Sequence, residues 1–215
     1  MSSSAERFET ALQRHVSMPY LRYLPDGYQE RDDWPWILFL HGSAERGDDV
    51  ELLRRQGLPR ALEEGLKLPA VVVAPQCPAG HVWAQQHDAL SALLDQLAGE
   101  LRVAPELLTL TGLSLGGAGT VHYAASEPQR FRALAPICGP WTWYYLTPRI
   151  AQLPLWIFHG EADPLVPVGD SKRLAEVSRA YGGRPRLTLY PEVEHDAWAH
   201  AYADPEFQQW LVAPR

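Results

Sequence analysis

Four short apolar runs constrain this chain more than anything else in it: residues 36–40 (WILFL), 71–75 (VVVAP), 107–111 (LLTLT) and 155–159 (LWIFH). A strand with one wet face alternates apolar and polar residues. A run without that alternation reads as a strand covered on both faces, as in a parallel sheet layered by helices. Residues 131–137 and 186–190 are weaker strand candidates, and residues 20–24 read as an added strand near the sheet edge. Helical segments lie between the strands. Residues 88–101 carry Leu90, Leu93, Leu94, Leu97 and Leu101 at helical spacing. Residues 115–126 are rich in Gly and Ala, and Pro128 follows their end. Residues 171–181 stop at Gly182-Gly183, and Asp204-Pro205 opens a last helix with an N-cap and a proline at the first helical position. Strand–helix alternation over 215 residues predicts an α/β fold with a doubly wound, mostly parallel sheet, and a single domain spanning residues 1–215.

Composition removes several function classes. The net charge of −7 would repel a phosphate backbone, so nucleic acid is not an expected partner. No apolar run approaches the ~18 residues of a membrane span, and the start lacks the apolar core of a secretory signal, so a cytoplasmic protein is expected. Cys77 and Cys138 lack metal-ligand spacing and are expected to be free and buried. His195 and His200 stand five apart rather than four, and no H-E-x-x-H occurs, so no metal and no cofactor are expected.

Gly112-Leu113-Ser114-Leu115-Gly116 falls where an apolar strand meets a helix. A G-x-S-x-G arises by chance in roughly one chain in twenty of this length. Its placement therefore matters more than its letters, and a strand-to-helix turn is the context of a nucleophile elbow. A serine hydroxyl needs a base, and the base needs a group to orient it. Asp163 follows the strand at 155–159, and His195 follows the strand at 186–190, so the order is Ser, Asp, His. Both fall in loops at strand C-termini, where open α/β sheets bind ligands. Glu161 and Asp170 are rivals to Asp163, His200 is a rival to His195, and Asp196 reads as a helix N-cap. Backbone N–H groups of Ser43, with Ala44 next, and of Leu115 are the candidate oxyanion donors.

The segments His41-Gly-Ser-Ala-Glu-Arg-Gly47, Ala74-Pro-Gln-Cys-Pro78, Gly112-Leu-Ser-Leu-Gly-Gly117, His159-Gly-Glu-Ala-Asp-Pro-Leu-Val-Pro167 and His195-Asp-Ala-Trp198 make the chain resemble the α/β-hydrolase superfamily over nearly its whole length. They are similar to its small esterases: phospholipase/carboxylesterase-like proteins, relatives of polyhydroxybutyrate depolymerases, and predicted peptidases. The resemblance implies carboxylic-ester hydrolysis through an acyl-serine without a cofactor, on a small-molecule ester. By position, Ser114 would be the nucleophile, Asp163 the orienting acid and His195 the base. The group commonly has glycine where Ala44 stands. The same triad would serve a thioesterase or small-peptide hydrolase, and a binding module on the same fold is the alternative of another class. Activity is expected to rise with pH as His195 loses its proton.

The remaining residues carry two readings each. His41 and His159 stand before glycine at strand ends and are expected to bond loop backbone rather than react. His122 is expected to pack, and His81 and His87, flanking Trp83, line a cleft or the surface. Glu45 and Arg46 bind an acidic group or pin the loop as an ion pair. The run Trp141-Thr-Trp143-Tyr-Tyr145 either walls a substrate pocket opposite Trp83 or packs a crossover helix on the sheet. Only 17 residues separate strands there, from Cys138 to Pro154, so no cap domain is expected. Trp83, Trp141, Trp143 and Trp198 are the substrate-binding candidates. Trp36 and Trp156 are core candidates, Trp34 and Trp210 have no assigned place, and the oligomeric state is open.

Overall fold

The computed structural model describes residues 5, 7–10, 13, 15–140 and 146–213. Seven strands form one sheet in the order β1-β3-β2-β4-β5-β6-β7. They are β1 Tyr20–Tyr23, β2 Trp34–Leu40, β3 Val71–Pro75, β4 Val103–Leu113, β5 Ala133–Ile137, β6 Trp156–Gly160 and β7 Arg186–Tyr190. β1 lies at the edge, antiparallel to β3, and every other neighbouring pair is parallel. The helices are α1 Gly57–Glu63, α2 His87–Glu100, α3 Leu115–Ser126, α4 Thr147–Ile150, α5 Val168–Ala180, α6 Ala197–Ala203 and α7 Pro205–Val212. None of the described helices is long and apolar enough to cross a membrane.

The apolar runs are buried on both faces, for the reason their composition suggests. Along β2, Trp36, Leu38 and Leu40 join one core with Leu90, Leu94 and Val121 of α2 and α3. Ile37 and Phe39 join the other with Leu58 of α1, Tyr202 of α6 and Phe207 of α7. Side chains alternate across the pleat, yet each side meets helices, so both must be apolar. Trp36 and Trp156 are core, as expected, and are 2% and 1% exposed. Trp34 is buried and donates its indole N–H to the Tyr28 carbonyl. Trp210 packs edge-on to Trp156 with the Arg132 guanidinium over its ring.

Several details depart from the sequence expectation; α5, for one, begins at Val168 rather than at residue 171. β4 begins four residues early. Its first pairing, Trp34 with Val103, is followed by a register shift to Trp36 with Leu108. Pro105 lacks an N–H for the ladder, and the irregularity accommodates it. α1 carries a glycine and a proline that hide its periodicity. In the β5–β6 connection the described helix is the single turn α4, and residues 141–145 of that connection lie outside the described residues. Asp204 caps α7 by accepting from the Glu206 N–H at 2.8 Å. Asp196 holds the N-cap position of α6 without a side-chain bond.

Candidate active site

β4 runs straight into α3 through Ser114, whose φ of 52° and ψ of −116° are strained for a residue with a Cβ. The turn is tight because the helix starts directly over the sheet. A Cβ on Gly116 would overlap the Leu40 carbonyl oxygen, and one on Gly112 would press on the Gly116 carbonyl. The two glycines of the motif are therefore required by contact with backbone. The Ser114 N–H donates to the Ile137 carbonyl at 2.9 Å, which ties the elbow to β5.

Three loops at the C-terminal edge of the sheet bring Ser114, His195 and Asp163 together. Ser114 Oγ lies 2.9 Å from His195 Nε2, and His195 Nδ1 lies 2.6 Å from Asp163 Oδ2. The His195 side chain is 17% exposed, whereas the Asp163 carboxylate is fully buried. Asp163 Oδ1 accepts the N–H groups of Leu165 at 2.8 Å and Val166 at 2.9 Å. Burial pushes this carboxyl upward. The bonds from His195, Val166 and Leu165 outweigh it and hold the group below the usual aspartate value, so it is an anion. Glu161 is exposed with Lys172 3.6 Å away, Asp170 lies in the first turn of α5, and exposed His200 packs on Tyr190.

The loop after β2 is pinned by side-chain hydrogen bonds. His41 is buried and donates Nδ1–H to the Gly42 carbonyl at 2.6 Å, while its Nε2 accepts the Cys77 N–H at 2.9 Å. Burial lowers its pKa to about 4. The peptide is trans, so the Ser43 N–H points opposite to the held Gly42 carbonyl. Neither the Ser43 nor the Leu115 N–H has a backbone acceptor among the described residues. The expected Glu45–Arg46 ion pair does not form among the described residues. Arg46 instead donates to the Ser43 carbonyl at 2.9 Å and the His81 carbonyl at 3.1 Å. Glu45 turns inward, 3.8 Å from His41 Nδ1, and burial raises its pKa.

Trp83 is 1% exposed and donates to the His41 carbonyl at 3.0 Å, so it braces this loop. Its remaining face, with Leu115, Ala118, Gly119, His122 and Pro140, lines a cavity of about 240 Å³. His122 sits in that wall and is 2.8 Å from His87, whereas His81 is exposed. Trp198 is buried. It stands edge-on to His195 with ring centroids 5.2 Å apart and donates to Gln56 Oε1. It thus supports the His195 ring and lines a separate cavity against α1. Trp141 and Trp143 lie outside the described residues.

Sequence reading misses two supports. Gln56 holds Trp198, and no pattern links positions 142 residues apart. His159 bonds the Val166 carbonyl, as expected of a loop histidine, but also stands 3.2 Å from Asp163 Oδ2. Cys77 and Cys138 are free and buried. Cys138, His159 and Asp163 offer ligand atoms within 4.8 Å of one another. That donor set does not suit a metal here. The Cys138 thiol is pushed up to about 12 by burial, and both other groups are engaged in hydrogen bonds.

Comparison with known proteins agrees with this architecture. An acyl-protein thioesterase 1 of Gibberella zeae is 30% identical over 105 residues, which take in 44% of this chain and 43% of that protein. A thermostable esterase of known structure is 30% identical with a TM-score of 0.78, covering 91% of this chain and 59% of that one. This chain thus spans less than two thirds of either relative. Thermogutta terrifontis esterase 2, phosphorylated by paraoxon, is 19% identical with a TM-score of 0.69 over 93% of this chain and 92% of that one, a likeness of fold. The α/β-hydrolase fold expected from the motifs is the one observed. Residues 63–208, well over half of the sequence and including Ser114, Asp163 and His195, match the dienelactone hydrolase family, and the chain belongs to it.

Proposed function

We propose that this protein is a serine esterase that works through an acyl-serine. One observation carries the reading: the continuous hydrogen-bonded chain from Ser114 Oγ through His195 to the buried Asp163 carboxylate. As Ser114 Oγ attacks the ester carbonyl carbon, its proton passes to His195 Nε2. The carbonyl π pair moves to oxygen, and the Ser43 and Leu115 N–H groups receive that charge. Asp163 stabilises the imidazolium and holds its Nδ1–H. The C–O bond to the alcohol then breaks, and the alcohol leaves with the Nε2 proton. Water enters, gives a proton to His195, and releases the acid by the same steps in reverse. No cofactor has a step in this sequence.

The cavity beside Leu115 and Trp83 is the acyl site in this reading. Its volume of about 240 Å³ lies below the ~300–1,000 Å³ usual for drug-sized ligands, which favours short acyl groups. The likeness to an acyl-protein thioesterase favours thioesters as a second substrate class, since the acyl-enzyme is shared. The two free thiols suit the cytoplasm. The deciding experiment is Ser114→Ala assayed with p-nitrophenyl acetate, with a fluorophosphonate probe on the parent protein. Loss of turnover and labelling of Ser114 are expected. Wild-type turnover in the variant would refute the mechanism, and a parent protein that neither turns over nor labels would favour the binding module. A panel of short and long esters and thioesters assigns the substrate.

A further inference from the structure

Two serine–histidine pairs converge on one oxygen of Asp163. The first is the pair already described. The second is buried: Ser171 Oγ of α5 lies 2.7 Å from His159 Nδ1, and His159 Nε2 lies 3.2 Å from Asp163 Oδ2. The same Nε2 is 3.0 Å from the Val166 carbonyl. Both neighbours of Nε2 are acceptors, so Nε2 carries the proton. Nδ1 is then the acceptor, and the Ser171 hydroxyl is its donor. His159 is fully buried, and desolvation lowers its pKa, so it remains neutral. Ser171 is 3% exposed and has no path to a substrate.

We propose that His159, with its tautomer set by Ser171, is a positioning residue for the Asp163 carboxylate. This inference rests on the triad reading of the previous subsection. The physical reason lies in the loop between them. Asp163 Oδ1 is held by the N–H groups of Leu165 and Val166, and the Val166 carbonyl is held by His159. His159 thereby closes the 163–166 turn onto its own aspartate. The positive end of its N–H dipole also faces Oδ2, the oxygen that binds His195. Without it, Oδ2 keeps His195 alone as its side-chain partner, and the carboxylate can tilt about the two bonds that hold Oδ1. Small misplacements of reacting groups cost rate far more than binding.

The test compares three variants with Ser114→Ala in a p-nitrophenyl acetate assay. His159→Leu removes the N–H; a kcat loss of about ten- to a hundredfold, with KM within about twofold, is expected. His159→Gln returns an N–H near the same place and should recover most of that loss. Ser171→Ala removes only the donor to Nδ1 and should lower kcat several-fold, in a protein that stays folded at the assay temperature although the stranded buried nitrogen lowers its unfolding temperature. A far-downfield resonance from the His195–Asp163 proton is expected in the parent, and it should shift or broaden in His159→Leu. A kcat within about twofold of the parent in both His159→Leu and Ser171→Ala would overturn the proposal, as would a Gln variant no better than Leu. Should His159→Leu fail to fold, Ser171→Ala and His159→Gln decide it: unchanged kcat in the first, or the loss of a hundredfold or more in the second, overturns it. An active Ser114→Ala would instead defeat the triad reading itself.

Discussion

Asp163→Asn is the substitution whose effect the geometry specifies most closely. The new amide has one oxygen and one NH2 to place where the carboxylate had two oxygens. One side of the site offers two backbone donors, Leu165 N–H at 2.8 Å and Val166 N–H at 2.9 Å. The other offers His195 Nδ1 at 2.6 Å and the His159 Nε2–H at 3.2 Å, a proton that keeps the Val166 carbonyl as its acceptor if Oδ2 is lost. Turning the NH2 toward the backbone would strand two buried donors, at about 1–3 kcal/mol each. The oxygen therefore stays on the backbone side and the NH2 faces His195. Nδ1 must then accept, which puts the imidazole proton on Nε2, facing Ser114 Oγ. In that tautomer Nε2 cannot take the serine proton. Restoring the productive tautomer sets N–H against N–H in a buried site and forgoes the anion that stabilises the imidazolium. A loss of about 10⁴ in kcat is expected, as such tautomer errors produce in serine hydrolases, or about 5 kcal/mol of barrier. The assay is kcat for p-nitrophenyl acetate together with the rate of fluorophosphonate labelling, with urea unfolding as the check on folding. A folded variant retaining more than about one part in a hundred of the parent kcat would refute the assignment of Asp163. Exposed Glu161 offers no substitute, and Glu161→Gln should leave kcat unchanged.

Ala118→Leu places three more carbons against the 240 Å³ cavity. Excluding two methylenes at about 0.8 kcal/mol each should lower kcat/KM for hexanoate relative to acetate about tenfold, and an unchanged ratio would remove the cavity from acyl binding. His41 is buried with a pKa of about 4 against an ordinary 6.5, so the unfolded chain binds its proton first as pH falls. Stability should be full above pH 6.5 and decline toward pH 4, with about 3 kcal/mol from this residue; a flat urea midpoint across that window would contradict it. Phe207→Ala, which empties a fully buried position among Trp156, Phe158 and Tyr202, should destabilise by about 3–5 kcal/mol in urea unfolding and loosen α7.

Strand type and order of chemistry were legible because burial leaves a one-dimensional trace. Residues 36–40 and 71–75 had to be apolar on both faces once helices covered the sheet, so their positions could be read without partners. Gly112 and Gly116 are legible for a similar reason: each touches backbone so closely that only hydrogen fits. The first residues of β4 are not legible because Pro105 breaks the strand pattern, although the irregular register absorbs it. α1 leaves no legible trace because seven residues with glycine and proline carry too little periodicity.

By itself, the sequence determined the layered sheet, the elbow at Ser114 and the loops that bear Asp163 and His195, since these follow from burial, turn sterics and chain order. Only the tertiary structure decided which groups meet. It set His195 between Ser114 and Asp163 and turned Arg46 onto backbone carbonyls instead of Glu45. It also put Trp198 behind the imidazole and brought His159 to the carboxylate. Those choices depend on angles and on distances of about 3 Å between loops far apart in sequence. A hydrogen bond is short and directional, whereas hydrophobic patterning specifies only which face is buried.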